Sequence, residues 1–242
     1  MYRNKLNKIM SKKTVEQELT DIIVILDRSS SIESYGLTKK NIEGFNSFLK
    51  EQKEETGLAR MTLALFDGNW YDNGDNNAYE LRYNMVDIQN VQDLDAETYI
   101  PKGMTALYDG IGITLQNYKN KLEKLPINEK PDKVVVLIMT DGEENASKEF
   151  NKKMIAEMIE KHEKEDLWGF VFMGANIDTM GESQSMNISV ANTIPYTSNV
   201  ADTQKLYKKL SKSVTKVRGI SKETFGATLN NFAVTKDKDI ED

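Results

Sequence analysis

The run Asp21-Ile22-Ile23-Val24-Ile25-Leu26-Asp27, followed directly by Arg28-Ser29-Ser30-Ser31, decides how the chain reads. An unbroken apolar stretch rich in β-branched residues and bounded by carboxylates lacks the alternation of a half-exposed strand. It predicts a strand buried on both faces. A sheet covered on both faces needs helices above and below it.

Outward from this run, KVVVLIMT (133–140) is the strongest strand signal in the chain, and LWGFVFM (167–173) has the same continuous apolar character. RMTLALF (60–66) reads as another strand, AYELRYNMV (78–86) as a partly alternating one nearer an edge, and 188–194 as a shorter one. The turn-rich GNWYDNGDNN (68–77) suits a hairpin loop, which makes 60–66 and 78–86 antiparallel. Trp70 and Tyr71 in that loop are either a partner contact or a fold-back onto the sheet.

Helical spacing of apolar residues appears over 37–53 (Ile42, Phe45, Phe48, Leu49), over 105–122 (Leu107, Ile111, Leu115, Tyr118) and over 201–217. It appears again over 148–165, where Phe150, Met154, Ile155, Met158 and Ile159 form the expected buried stripe. Strands and helices alternate almost throughout. The expected fold is α/β: a doubly wound, Rossmann-like, mostly parallel sheet of about six strands with one antiparallel edge strand and helices on both faces. Residues 1–20 read as an N-terminal extension, with Met10 an alternative start, 21–218 as one domain, and 219–242 as a partly disordered C-terminal tail.

Composition narrows the chemistry. The 242 residues carry 32 Lys plus Arg against 38 Asp plus Glu, a net charge of −6, which excludes a strongly basic nucleic-acid binder. Cysteine is absent and His162 is the single histidine, which removes thiolate zinc sites, redox pairs and disulfides. Whatever is bound must be bound mostly with oxygen. His162, in the charged segment KHEKED, reads as a solvated surface residue, and the loop at 67–77 lacks the order of a calcium-binding EF-hand. No secretory or membrane-spanning apolar stretch is present, so a cytoplasmic protein is expected.

Ligands of open α/β sheets gather at the carboxyl ends of the strands. Three segments place small oxygen-bearing residues there: Asp27 with Ser29 and Ser31, Thr105 before the helix at 105–122, and Asp141 in Thr140-Asp141-Gly142. Alternating residues after a strand point the same way, so Asp27, Ser29 and Ser31 converge. Carboxylates and hydroxyls without nitrogen or sulfur suit a hard divalent cation.

These residues resemble the metal-ion-dependent adhesion site of the von Willebrand factor A domain family. The Asp-x-Ser-x-Ser loop is matched by Asp27, Ser29 and Ser31, the distant Thr by Thr105, and the distant Asp-Gly by Asp141 and Gly142. The similarity covers about residues 21–218. It implies Mg²⁺, with Mn²⁺ or Ca²⁺ as alternatives, bound by Ser29, Ser31 and Thr105, with Asp27 and Asp141 acting through water. It also implies an open coordination position for an Asp or Glu of a partner protein, and a protein that is not an enzyme. Ser30 stands where many members have Gly. Glu33, Glu143 and Glu144 are candidates to fill the open position from within the chain.

Two other classes compete. A Mg²⁺-dependent phosphotransferase would place a second Asp two residues after the first as general acid, but position 29 is Ser. A constitutive structural subunit of a phage or ATPase-associated assembly would use the same site to fix an interface. The richness in Lys, Asn and Ile hints at a low-GC bacterium or its phage.

Overall fold

The computed structural model describes residues 13–68, 78–175, 177–197 and 199–231. Its sheet has six strands: β1 (Leu19–Asp27), β2 (Leu58–Phe66), β3 (Tyr79–Asp87), β4 (Lys133–Thr140), β5 (Trp168–Ala175) and β6 (Thr193–Tyr196). The spatial order is β3-β2-β1-β4-β5-β6, with β3 antiparallel to β2 and every other pair parallel. The doubly wound α/β architecture read from the sequence is the one observed. All eight residues of both β4 and β5 are buried, as unbroken apolar runs require, whereas β3 at the edge is mostly half-buried.

The β2–β3 pairing carries register shifts around Leu63, and Met85 opposite them has φ 55°, a left-handed conformation that costs a non-glycine residue energy. Its amide is held there by Thr62 Oγ1 at 3.0 Å.

Seven helices clothe the sheet among the described residues: α1 (Ser30–Ser34), α2 (Thr38–Glu54), α3 (Leu107–Lys124), α4 (Lys152–Lys161), α5 (Thr179–Ser185), α6 (Val200–Arg218) and α7 (Lys222–Thr228). One face buries Phe45, Phe48 and Leu49 of α2 with Leu206, Leu210 and Val214 of α6 against Ile22, Val24 and Leu26. The other buries Ile111, Leu115 and Tyr118 of α3 with Ile155 and Ile159 of α4 against Ile23, Ile25 and Val136. Alternate residues of β1 thus enter opposite cores, which is why its apolar run has no gaps.

Several expectations are corrected. The last strand begins at Thr193, because Val190–Asn192 forms a 3₁₀ turn in place of the start of a strand at 188. The helix expected over 148–165 is shorter, spanning Lys152–Lys161, and continues as a π-helical segment, His162–Asp166, that ends at Leu167 with φ 57°. That change of helical period turns His162 inward. It is buried, stacks on Trp168 with ring centroids 4.0 Å apart and planes 4° apart, and bonds Asp166 Oδ2 through Nδ1 at 2.7 Å. Met154 is exposed, not core, since the buried stripe of α4 runs through Ile155 and Ile159, with Met158 packed beside it.

Beyond Arg218, where the sequence predicts a tail, α7 forms with Phe225 buried and Ser221 capping its N-terminus. The hairpin tip with Trp70 and Tyr71, Met10, and the tail from 232 onward lie outside the described residues. No helix among the described residues is long and apolar enough to cross a membrane.

Candidate functional site

The chain leaves β1 for β2 and β3 on one side, then returns to β4 on the other side of β1. The strand order therefore reverses between β1 and β4, and a crevice opens at their carboxyl ends. Asp27 ends β1 and Thr140 ends β4, with Leu26 registered on Met139. Topology alone puts the Asp27 loop beside the Thr140-Asp141-Gly142 turn.

Side-chain geometry closes the group. Asp27 accepts from the Ser29 amide through Oδ1 at 2.7 Å and from Thr140 Oγ1 through Oδ2 at 2.6 Å. Ser29 Oγ and Ser31 Oγ lie 3.0 Å apart, and Ser31 Oγ donates to Asp141 Oδ1 at 2.8 Å. Thr105 belongs to the same cluster: a Cβ placed on Gly142 would sit 3.1 Å from Thr105 Oγ1 and 3.6 Å from Ser31 Oγ. A side chain at position 142 would press on the Thr105 hydroxyl, which would have to give by a few tenths of an ångström. The structure places Asp27, Ser29, Ser31, Thr105 and Asp141 together around one spot.

The surrounding backbone is tied down. Tyr99 donates its hydroxyl to the Asp27 carbonyl at 2.6 Å and accepts from Asn41 at 3.2 Å. Ser30 bonds the Gly103 carbonyl through both its amide (3.1 Å) and its hydroxyl (2.8 Å), and Gly103 takes the left-handed φ of 65°. Thr105 is fixed from both sides, its amide donating to Asn145 Oδ1 at 2.9 Å and its carbonyl accepting from the amides of Asn145 and Ala146. Nearby, buried Asp109 on α3 accepts the amides of Lys148, Glu149 and Phe150, which anchors the loop after β4.

The carboxylates of the site sit in an unfavourable field. Burial, and then the like charge of Asp141, push the Asp27 carboxyl up to about 7, against the lowering effect of its hydrogen bonds. Burial likewise raises Asp141. Burial also raises the hydroxyl of Tyr196, which donates to the Thr140 carbonyl at 3.3 Å, well above its ordinary range, and Asp141 adds to the effect. Two buried carboxyls beside each other are costly unless a proton or a cation is shared between them.

The three glutamates expected as internal caps behave differently from one another. Glu144 is not available, because both its oxygens are used. Oε1 accepts the amides of Ala146 and Ser147, and Oε2 accepts the amide of Tyr108 at the start of α3 and the hydroxyl of Ser147. It is a capping residue of the kind that the dipole of α3 favours. Glu33 and Glu143 are exposed. Among the described residues no group of three or more His, Cys, Asp or Glu is placed to hold a metal ion, so any ion here depends on hydroxyl ligands.

Sequence reasoning did not single out Tyr99, Asn145 or Asp109 as supports. Each lies in a loop or helix start with no local pattern to mark it, and its role exists only through partners dozens of residues away.

No protein-family model matches the sequence, and no curated protein matches it. Solved structures do. Proximal thread matrix protein 1 from the mussel byssus, in a structure described as having a zinc-occupied MIDAS motif, is 17% identical over 83% of this chain and 46% of its own, with a TM-score of 0.55. The pilus adhesin SpaC from Lactobacillus rhamnosus GG, in its open conformation, is 12% identical over 84% of this chain and 31% of its own, with a TM-score of 0.61. A von Willebrand factor type A structure from Catenulispora acidiphila is 13% identical over 82% of this chain and 43% of its own, at 0.51. The chain spans less than two thirds of the length of each of these proteins. The similarity establishes a shared fold, the one that the von Willebrand factor type A structure also has.

Proposed function

We propose that this chain is a metal-dependent protein-interaction module that captures an acidic side chain of a partner through a bound divalent cation. The observation that carries the reading is the pair of buried carboxylates, Asp27 and Asp141, meeting three hydroxyls at the strand-order reversal, a set that gains stability when a cation joins it. Ser29, Ser31 and Thr105 are the hydroxyl ligands of this reading. Asp27 and Asp141 hold them and order water. A cation held mainly by neutral hydroxyls stays electrophilic, and an outside Asp or Glu completes its shell.

Mg²⁺ is the first expectation for an all-oxygen set, with Mn²⁺ or Ca²⁺ next. Zinc belongs in the same titration because the mussel matrix protein structure carries it. The matrix protein and the pilus adhesin among the similar folds support an interaction role over turnover, and Ser29 supplies no general acid for phosphoryl transfer. A cytoplasmic placement in a bacterium or phage-infected cell is part of this proposal, and cell fractionation tests it.

The deciding experiment is isothermal titration of the metal-free chain with Mg²⁺, Mn²⁺, Ca²⁺ and Zn²⁺, alongside Ser29→Ala and a pulldown from source cells with and without EDTA. One-site binding that Ser29→Ala abolishes, with partners lost on chelation, is the expected result. Absence of binding by the unaltered chain at millimolar metal overturns the reading.

A further inference from the structure

Arg28 stands between Asp27 and Ser29, so the loop that gathers anions for a cation carries a cation of its own. Its side chain is 6% exposed and turned to the β2–β3 side. Nε donates to Asp67 Oδ2 at 2.9 Å, and Nη1 donates to Glu80 Oε2 at 2.7 Å. Asp67, just past β2, is wholly buried, whereas Glu80 on β3 is 38% exposed and also accepts from Arg82 at 2.7 Å. Lys102 Nζ lies 4.0 Å from the same Asp67 oxygen. The Arg28 backbone is held too, its amide by the Phe66 carbonyl at 2.8 Å and its carbonyl by the Lys102 amide at 2.9 Å.

We infer that Asp67 is a positioning residue that withholds the Arg28 guanidinium from the Asp27–Asp141 pair, so that the two site carboxylates stay open to an external cation. The inference rests on the metal-binding reading above.

The physical basis is competition. A guanidinium cannot be deprotonated in a protein, and a buried one must find anionic partners. Two anionic sinks flank Arg28: the Asp67–Glu80 pair that its side chain contacts on the hairpin side, and Asp27, its neighbour in the chain, with Asp141 in the crevice. The deeper carboxylate on the hairpin side is Asp67, which the low dielectric around it makes the stronger partner. Neutralising Asp67 removes the deepest anion against the guanidinium, and Glu80 is a weaker substitute because it is more exposed and shared with Arg82. Arg28 then either reaches for the crevice or keeps a less compensated positive charge beside it. Both outcomes oppose the entry of a divalent cation.

The test is a suppressor experiment. Mg²⁺ affinity is measured by isothermal titration for the unaltered chain, Asp67→Asn, Arg28→Met and the double variant Arg28→Met/Asp67→Asn. Thermal melts in EDTA report whether each variant folds, and Ser29→Ala marks loss of the site. Asp67→Asn should bind Mg²⁺ about tenfold or more weakly, the scale of a unit charge acting a few ångströms away in protein. The double variant should return to within about threefold of the unaltered chain, since removing both members of a buried pair leaves no stray charge.

A purely architectural Asp67–Arg28 bond gives the opposite order, with the double variant no better than Asp67→Asn, and that result overturns the inference. So does unchanged affinity in folded Asp67→Asn. Failure of the unaltered chain to bind any cation sinks the metal reading and this inference with it. Binding by the unaltered chain without suppression sinks this inference alone.

Discussion

The two ends of the sheet handle buried charge in opposite ways. At the amino ends of the strands buried charges meet an opposite charge or a cluster of carbonyls. Asp21 takes a two-pronged contact from Arg60, at 2.8 and 2.7 Å, and the hydroxyl of Tyr118 at 2.6 Å. Fully buried Lys133 donates to the carbonyls of Val217, Arg218 and Ile220 and faces Glu18 at 3.2 Å, while Arg218 bonds the carbonyls of Gln52, Glu55, Thr56 and Gly57. These contacts clamp the end of α6 and the start of α7 to the sheet. At the carboxyl ends, Asp27 and Asp141 are like charges set close together with hydroxyl and amide donors, and the guanidinium of Arg28, next to Asp27 in the chain, bonds Asp67 and Glu80. Opposite charges paired in the interior lock a fold, whereas like charges gathered there store a demand for a cation.

The comparison predicts opposite signs for charge removal at the two ends. Lys133→Met, at the matched end, leaves Glu18 buried without its cationic partner and removes one donor from each of three carbonyls. It should cost roughly 3–5 kcal/mol in urea unfolding. A loss under about 1 kcal/mol would show that the Lys133 contacts do not lock the fold.

Asp27→Asn, at the unmatched end, should do the reverse in chelator. Asp27 is raised from 3.8 to about 7 in the fold, so its ionised form disfavours the native state, and the penalty is complete above pH 7. Neutralising it should stabilise the metal-free protein at pH 8 by about 1–3 kcal/mol while abolishing cation binding. Destabilisation in EDTA would break the comparison.

The smallest expected effect concerns His162, whose own pairing is with Asp166. Burial lowers its pKa below the ordinary 6.5, against the raising effect of Asp166. The unfolded chain therefore takes up the proton first as pH falls, so stability is lost on acidification below about 6.5. Glu163 next to it is raised from 4.5 to about 7 by burial and Glu160, which acts with the opposite sign over the same range. His162→Phe keeps the stack on Trp168 and removes the histidine contribution together with its bond to Asp166, whose carboxyl stays below the range tested. The fall in urea midpoint between pH 7 and pH 5 should shrink by an amount equivalent to under about 1 kcal/mol, and an unchanged slope would show that His162 carries none of it.

The buried strands were legible because an apolar run without alternation has one physical solution, a strand covered on both faces. The predicted and observed boundaries of Lys133–Thr140 coincide for that reason. Edges and ends were less legible. The inward turn of His162 depends on a π-helical segment that no charge pattern in KHEKED announces. Helix α7 is too short for periodicity to mark, and it owes its stability to Phe225 packing and to the contact of its first amide with Glu18, 204 positions earlier in the chain. Among the site residues, the oxygen-only character and the three segments were visible in the sequence. The role of Glu144 as a cap, in place of a ligand, was not, since its partners Tyr108 and Ser147 come from elements on either side of the crevice.

By itself the sequence determined a parallel core, an antiparallel edge and a chemistry restricted to oxygen, because burial on both faces, hairpin turns and the absence of cysteine are local or compositional facts. Tertiary structure alone decided that Asp27 and Asp141 share one crevice while Arg28 turns away from it. Those outcomes depend on which strands become neighbours and on how each buried charge is compensated, and neither is written in any single stretch of chain.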